Sequence, residues 1–125
     1  MSKKIEENRQ TPFLEPPTNS NAVRPEPEHA RLTAALADHL SELDPERTEI
    51  FLHGYSDALE TNRRRVGLSR SRAEYVRNLI GEAAPEFAAS LRADGFEGLA
   101  PRGCNREAAG RSLNRRVEVW IRTAD

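Results

Sequence analysis

Glu49-Ile50-Phe51-Leu52-His53-Gly54-Tyr55-Ser56-Asp57 is the stretch on which the fold turns. Its first seven residues are rich in β-formers, contain no proline, and read as a short interior strand. The polar segment Ser56 to Gly67 follows, so the strand delivers Asp57 onto a loop just past its end. Functional groups commonly project from such loops because the scaffold behind them is rigid.

Outward from this strand, helix and strand signals alternate. On the N-terminal side Leu32, Ala35, Leu36, Leu40 and Leu43 recur at helical spacing from about Glu28, and Pro45 ends the run. Glu26 and Glu28 stand where a helix dipole favours negative charge. Residues 1 to 27 hold five of the eight prolines and read as an extended tail or linker. Only Phe13, Leu14 and Val23 offer it anchors, with room for a short edge strand near Pro12 to Glu15. The expected division is therefore a tail or edge strand over 1–22 and one domain over 23–125. On the C-terminal side Ser69 is a plausible N-cap for a second helix. Ala73, Val76, Leu79 and Ile80 form its buried stripe, and Gly81 or Pro85 stops it. Phe87, Ala89 and Leu91 alternate as a weaker strand, and Asp94 to Leu113 reads as a long glycine-rich loop with room for one helical turn. In the last strand Val117, Val119 and Ile121 face one way and Glu118, Trp120 and Arg122 the other. Together these elements predict an α+β layer, with helices on one face of a small sheet.

Composition narrows the function. The chain has 125 residues, enough for one core, with 31% charged side chains and a net charge of −1. No apolar run approaches the roughly eighteen residues of a membrane span. No apolar stretch follows Lys3 and Lys4, so no secretory signal is visible; the expectation is a cytosolic chain or a targeting segment outside this sequence. Cys104 is the single cysteine, which forbids an intrachain disulfide. Charge is lopsided: Glu26 to Glu60 holds nine acids against Arg31 and Arg47, whereas Arg63 to Arg77 holds six arginines against Glu74.

Arg72 stands out within that basic half. A helical wheel aligns it with Val76 and Leu79, at the margin of the buried stripe, where an uncompensated charge is costly. Asp57 is the nearby candidate partner. Two readings follow from residue type and spacing. The pair is a salt bridge pinning loop to helix, or it is a divided clamp for a zwitterion. In the clamp, the planar guanidinium holds a carboxylate by paired hydrogen bonds and the aspartate accepts from an ammonium. Backbone N–H groups at the start of the second helix would reinforce the carboxylate seat.

Three separated motifs then occur in order. They are Gly54-Tyr55-Ser56-Asp57, Leu68-Ser69-Arg70-Ser71-Arg72-Ala73-Glu74-Tyr75-Val76 and Asn114-Arg115-Arg116-Val117-Glu118-Val119. Between about Val23 and Arg122 the chain resembles the OmpA-like peptidoglycan-binding family, with its G-[YH]-[TSA]-D turn, L-S-x-x-R-A-x-x-V helix and closing N-R-R-V-E strand. Val23-Arg24-Pro25-Glu26 is similar to that family's lead into the first helix. The resemblance implies a β-α-β-α-β-β two-layer sandwich with helices on one face of a small mixed sheet. It also implies non-catalytic binding of diaminopimelate in the peptide stem of peptidoglycan, tethering an envelope component to the wall from the periplasm or cell envelope. Asp57 and Arg72 would grip the ligand, Tyr55 and Leu68 would line the pocket, and Arg115 or Arg116 would reach it from the closing strand. No cofactor is implied, and the membrane is reached only through a segment outside this sequence. Two positions depart from the family: Glu60 replaces a glycine and Arg65 an asparagine, which predicts a different loop conformation after Asp57.

Three other functions compete with this one. Arg63-Arg64-Arg65 suggests nucleic-acid contacts, but the isoelectric point is near 6.3 and no aromatic platform interleaves the arginines. An altered pocket on the same fold would suit a protein-interaction module in an envelope or secretion assembly. An enzyme lacks its parts: His29, His39 and His53 have no metal-ligand spacing, and no nucleophile–base pair or phosphate loop is readable.

Overall fold

The computed structural model describes residues 4–14, 16, 27–57, 62–96, 103 and 106–124, the side chains of 4–12, 14, 62–66 and 112 excepted. A four-stranded sheet has the order β1-β4-β2-β3, with β1 at Lys4–Leu14, β2 at Thr48–Gly54, β3 at Leu91–Gly95 and β4 at Arg116–Ala124. Strands β2 and β3 run parallel; β4 is antiparallel to both β1 and β2. Helix α1 spans Pro27–Leu40, α2 spans Asn62–Ala83 and α3 spans Ala108–Asn114. The architecture is the expected α+β sandwich with a mixed sheet.

Side-chain period explains the layering. Along β2, Thr48, Ile50, Leu52 and Gly54 are buried, whereas Glu49, Phe51 and His53 are half-buried on the outer face. Val117, Val119 and Ile121 of β4 join Ile50 and Leu52 in the core. Against them pack Leu36 and Leu40 of α1 and Ala73, Tyr75, Val76, Leu79 and Ile80 of α2. The apolar stripe of α2 is the one its 3.6-residue period marks in the sequence.

Several local elements differ from expectation. The first strand runs over Lys4–Leu14 and pairs with β4, further toward the N-terminus than the stretch near Pro12 to Glu15, and Phe13 is wholly buried. Helix α1 ends at Leu40, and Pro45 instead opens a 3-10 turn, Pro45–Arg47, capped by the Asp44 side chain accepting from Glu46 N–H. Phe87 and Ala89 lie in a 3-10 helix, Pro85–Ser90, and only Leu91 enters a strand. Proline at the first turn presets its φ, and three-residue winding buries Phe87 while exposing Ala89, two residues that strand alternation would place on one face. The segment Asp94 to Leu113 contains the end of β3 and most of α3. His29 is buried in α1 with its ring between Phe13 and Tyr75, at centroid distances of 5.8 and 5.7 Å.

Candidate functional site

Gly54 and Gly95 close β2 and β3 directly beneath Ser69 of α2. A Cβ on Gly54 would lie 1.8 Å from the Ser69 carbonyl oxygen, and one on Gly95 would lie 2.5 Å from Ser69 Oγ and 2.7 Å from Arg70 N. Only glycine permits that approach, so the glycine of the turn motif and the serine of the helix motif are one packing contact. Ser69 is therefore not an N-cap: α2 begins at Asn62, and Ser69 is fully buried within it. Arg72 accordingly lies ten residues into the helix rather than in its first turn, away from the free N–H groups that were expected to assist it.

The strand end then delivers its backbone to two arginines. Tyr55 N–H donates to the Arg116 carbonyl at 2.8 Å, extending the β2–β4 pairing past Gly54. The Tyr55 carbonyl accepts from Arg72 Nη1 at 3.3 Å. Asp57 follows two residues on, and its Oδ2 accepts from Arg115 Nη1 at 2.6 Å. Asp57 is 3% exposed and Arg72 5% exposed, so both charges are held inside the protein. A buried ion is tolerated only with opposite charge and hydrogen bonds around it. The site thus gathers one carboxylate and two guanidinium groups from three elements distant in sequence.

Asn114 fixes the junction from which Arg115 projects. Its side-chain oxygen accepts from Gly103 N–H at 2.8 Å and its amide donates to the Gly103 carbonyl at 3.1 Å. Arg115 caps α3, its N–H donating to the Arg111 carbonyl at 3.0 Å, before β4 begins. Its neighbour Arg116 points to the outer face of the sheet and is nearly inaccessible. Arg116 Nε and Nη2 donate to Glu118 Oε2 at 2.8 and 2.7 Å, and its guanidinium lies 4.1 Å over the Tyr55 ring. Trp120 Nε1 donates to Glu118 Oε1 at 3.2 Å. The Tyr55 ring also stacks on Phe96, centroids 5.8 Å apart. Leu68 is half-buried one helical turn before Arg72, on the same side of α2.

The structure therefore brings Asp57, Arg72, Tyr55 and Arg115 together, and separates Arg116 into its own ion pair behind the tyrosine ring. Sequence reasoning missed Asn114, Glu118 and Phe96 as supports; the N-R-R-V-E motif contains the first two, but spacing alone assigns them no partners. His53 lies next to Phe96, rings 4.6 Å apart. Burial pushes its imidazole below the usual histidine value, against the opposing pull of Glu118 and Asp94. Glu60, the Arg65 side chain and Cys104 lie outside the described residues. Among the described residues no cluster of His, Cys, Asp or Glu is placed to hold a metal ion, and no helix is long and apolar enough to cross a membrane.

Neither a protein-family model nor a curated protein matches the chain. Solved structures do. The cell wall anchor of the T6SS from Pseudomonas aeruginosa is 26% identical, with a TM-score of 0.70 over 98% of this chain and 88% of that one. The peptidoglycan-associated lipoprotein of Burkholderia pseudomallei is 20% identical, with a TM-score of 0.70 over 91% and 90% of the two chains. The C-terminal domain of Helicobacter pylori MotB is 20% identical, with a TM-score of 0.73 over 89% and 83%. The chain shares the fold of these three structures, and its three ordered motifs resemble those of the OmpA-like family.

Proposed function

We propose that this chain is a non-catalytic module that binds the diaminopimelate-containing peptide stem of peptidoglycan and tethers an envelope component to the cell wall. The observation that carries the reading is the pair of buried charges at the end of β2, Asp57 and Arg72, joined through the Tyr55 backbone. A buried carboxylate accepts from a ligand ammonium, and a buried guanidinium grips a ligand carboxylate in paired hydrogen bonds. Low local dielectric strengthens both contacts relative to water. The cell wall anchor of the T6SS and the peptidoglycan-associated lipoprotein, which share the fold, support the same reading and, with it, a location in the periplasm or cell envelope.

Co-sedimentation with purified peptidoglycan tests it. The intact protein is expected in the pellet, and Asp57→Asn with Arg72→Gln is expected to move it to the supernatant while the circular dichroism spectrum stays folded. If the intact and doubly substituted proteins pellet equally, wall binding through this pair is wrong. Equal and poor pelleting would favour the same fold acting as a protein-interaction module in an envelope or secretion assembly.

A further inference from the structure

Arg115 and Asp57 are unequal partners. The Asp57 side chain is 3% exposed, whereas that of Arg115 is 24% exposed, so the arginine reaches the carboxylate from the solvent side. Arg72 is 5% exposed and tied to the Tyr55 carbonyl. One guanidinium is thus enclosed in the fold, and the other sits on a long side chain with solvent access.

Asp57 is enclosed except on the side from which Arg115 reaches it, so an arriving ligand ammonium meets the guanidinium whose Nη1 engages Oδ2 at 2.6 Å. Arg115 and the ammonium therefore compete, and binding is an exchange rather than a simple addition. The displaced guanidinium does not travel far. Its backbone is held by the α3 cap and by Asn114 on Gly103, so it stays beside the site, and its planar fork matches a carboxylate. After exchange, the site offers one carboxylate and two guanidinium groups, which balances a ligand carrying one ammonium and two carboxylates. A stem that ends in meso-diaminopimelate carries that set at its terminal residue. A stem that ends in lysine has the ammonium but one carboxylate fewer.

We propose that Arg115 is an exchangeable counter-ion: it neutralises Asp57 in the free protein, yields that carboxylate to the ligand ammonium, and then takes the second ligand carboxylate. The inference rests on Asp57 and Arg72 being the ligand clamp. Arg115 then sets selectivity twice, by opposing a bare ammonium and by rewarding an ammonium that brings a carboxylate with it.

Isothermal titration calorimetry with two synthetic tripeptides separates these roles: L-Ala-γ-D-Glu-meso-diaminopimelate and L-Ala-γ-D-Glu-L-Lys. The intact protein is expected to prefer the first by at least about tenfold, the ratio one charge-assisted contact supplies. In Arg115→Gln the preference is expected to collapse to within about threefold. The lysine peptide should bind that variant at least as tightly as the intact protein, because its competitor is gone. Arg115→Lys keeps a cation without the fork and should fall between. If Arg115→Gln weakens both peptides by one factor, or changes neither, Arg115 is a static support and the exchange is wrong, while the clamp stands. If the intact protein binds neither peptide, the clamp itself fails, and the exchange with it.

Discussion

Replacing Gly54 with alanine tests the packing contact that places the whole site. The new Cβ would sit 1.8 Å from the Ser69 carbonyl oxygen, 2.8 Å from the Ser69 carbonyl carbon and 3.2 Å from the Ala73 Cβ. A relaxed carbon–oxygen contact is about 3.3 Å, so β2 and α2 must part by roughly 1.5 Å at their crossing. The obstacle is helix backbone, which no rotamer change removes. Overpacking a core costs about 1–3 kcal/mol, and a rigid obstacle puts this substitution at about 3 kcal/mol. In a chain of 125 residues that lowers the melting temperature by about 10–15 °C. Two other glycines calibrate the scale. At Gly95 the Cβ meets Ser69 Oγ at 2.5 Å, which can rotate, and Arg70 N at 2.7 Å, which cannot, but β3 is an edge strand free to shift. Gly95→Ala should cost about 1–2 kcal/mol. Gly67 is exposed on α2, and its Cβ would meet nothing within 4 Å. Alanine there should stabilise by about 0.5–1 kcal/mol through helix propensity. Thermal and urea denaturation followed by circular dichroism gives all three values. A Gly54→Ala protein melting within about 3 °C of the original, or less perturbed than Gly95→Ala, would refute the argument.

Two further outcomes follow from the outer face of the sheet. Glu118→Ala leaves Arg116 buried without its carboxylate and should cost about 3–5 kcal/mol, whereas Arg116→Met with Glu118→Met should cost less than the sum of the single changes. Strict additivity in that double-mutant cycle would mean the pair is not coupled. Burial holds His53 neutral in the fold at pH values where the unfolded chain binds a proton. Its folded value lies below the usual 6.5, so its stabilising contribution is present above that pH and is lost as pH falls through the window beneath it. The urea midpoint should therefore decline between about pH 7 and 5, and His53→Phe should flatten the decline; an unchanged slope would exclude His53 as its source.

Periodicity made the core readable because it is a property of neighbouring residues. The alternation in β2 and β4 and the stripe Ala73, Val76, Leu79 and Ile80 specify which faces are buried before any partner is known. Terminal and irregular elements were less readable. Phe87 and Leu91 fit strand alternation, yet Pro85 and three-residue winding built a 3-10 helix up to Ser90. Ser69 has the chemistry of a cap, yet two glycines from different strands determined its place.

By itself the sequence determined the α+β class and the choice of Asp57 and Arg72 as the charges to watch, which need only residue type, order and short-range spacing; its resemblance to the OmpA-like family rests on three ordered motifs. Only the tertiary structure decided which arginine meets Asp57, because Arg115 is 58 residues away and adjacent to a second arginine of identical chemistry. Strand alternation sends Arg116 to the outer face, where Glu118 and the Tyr55 ring hold it, and the α3 cap aims Arg115 at the end of β2. The same closure of distant segments seated His29 between Phe13 and Tyr75. Such contacts depend on where the chain returns in space, which no local pattern encodes.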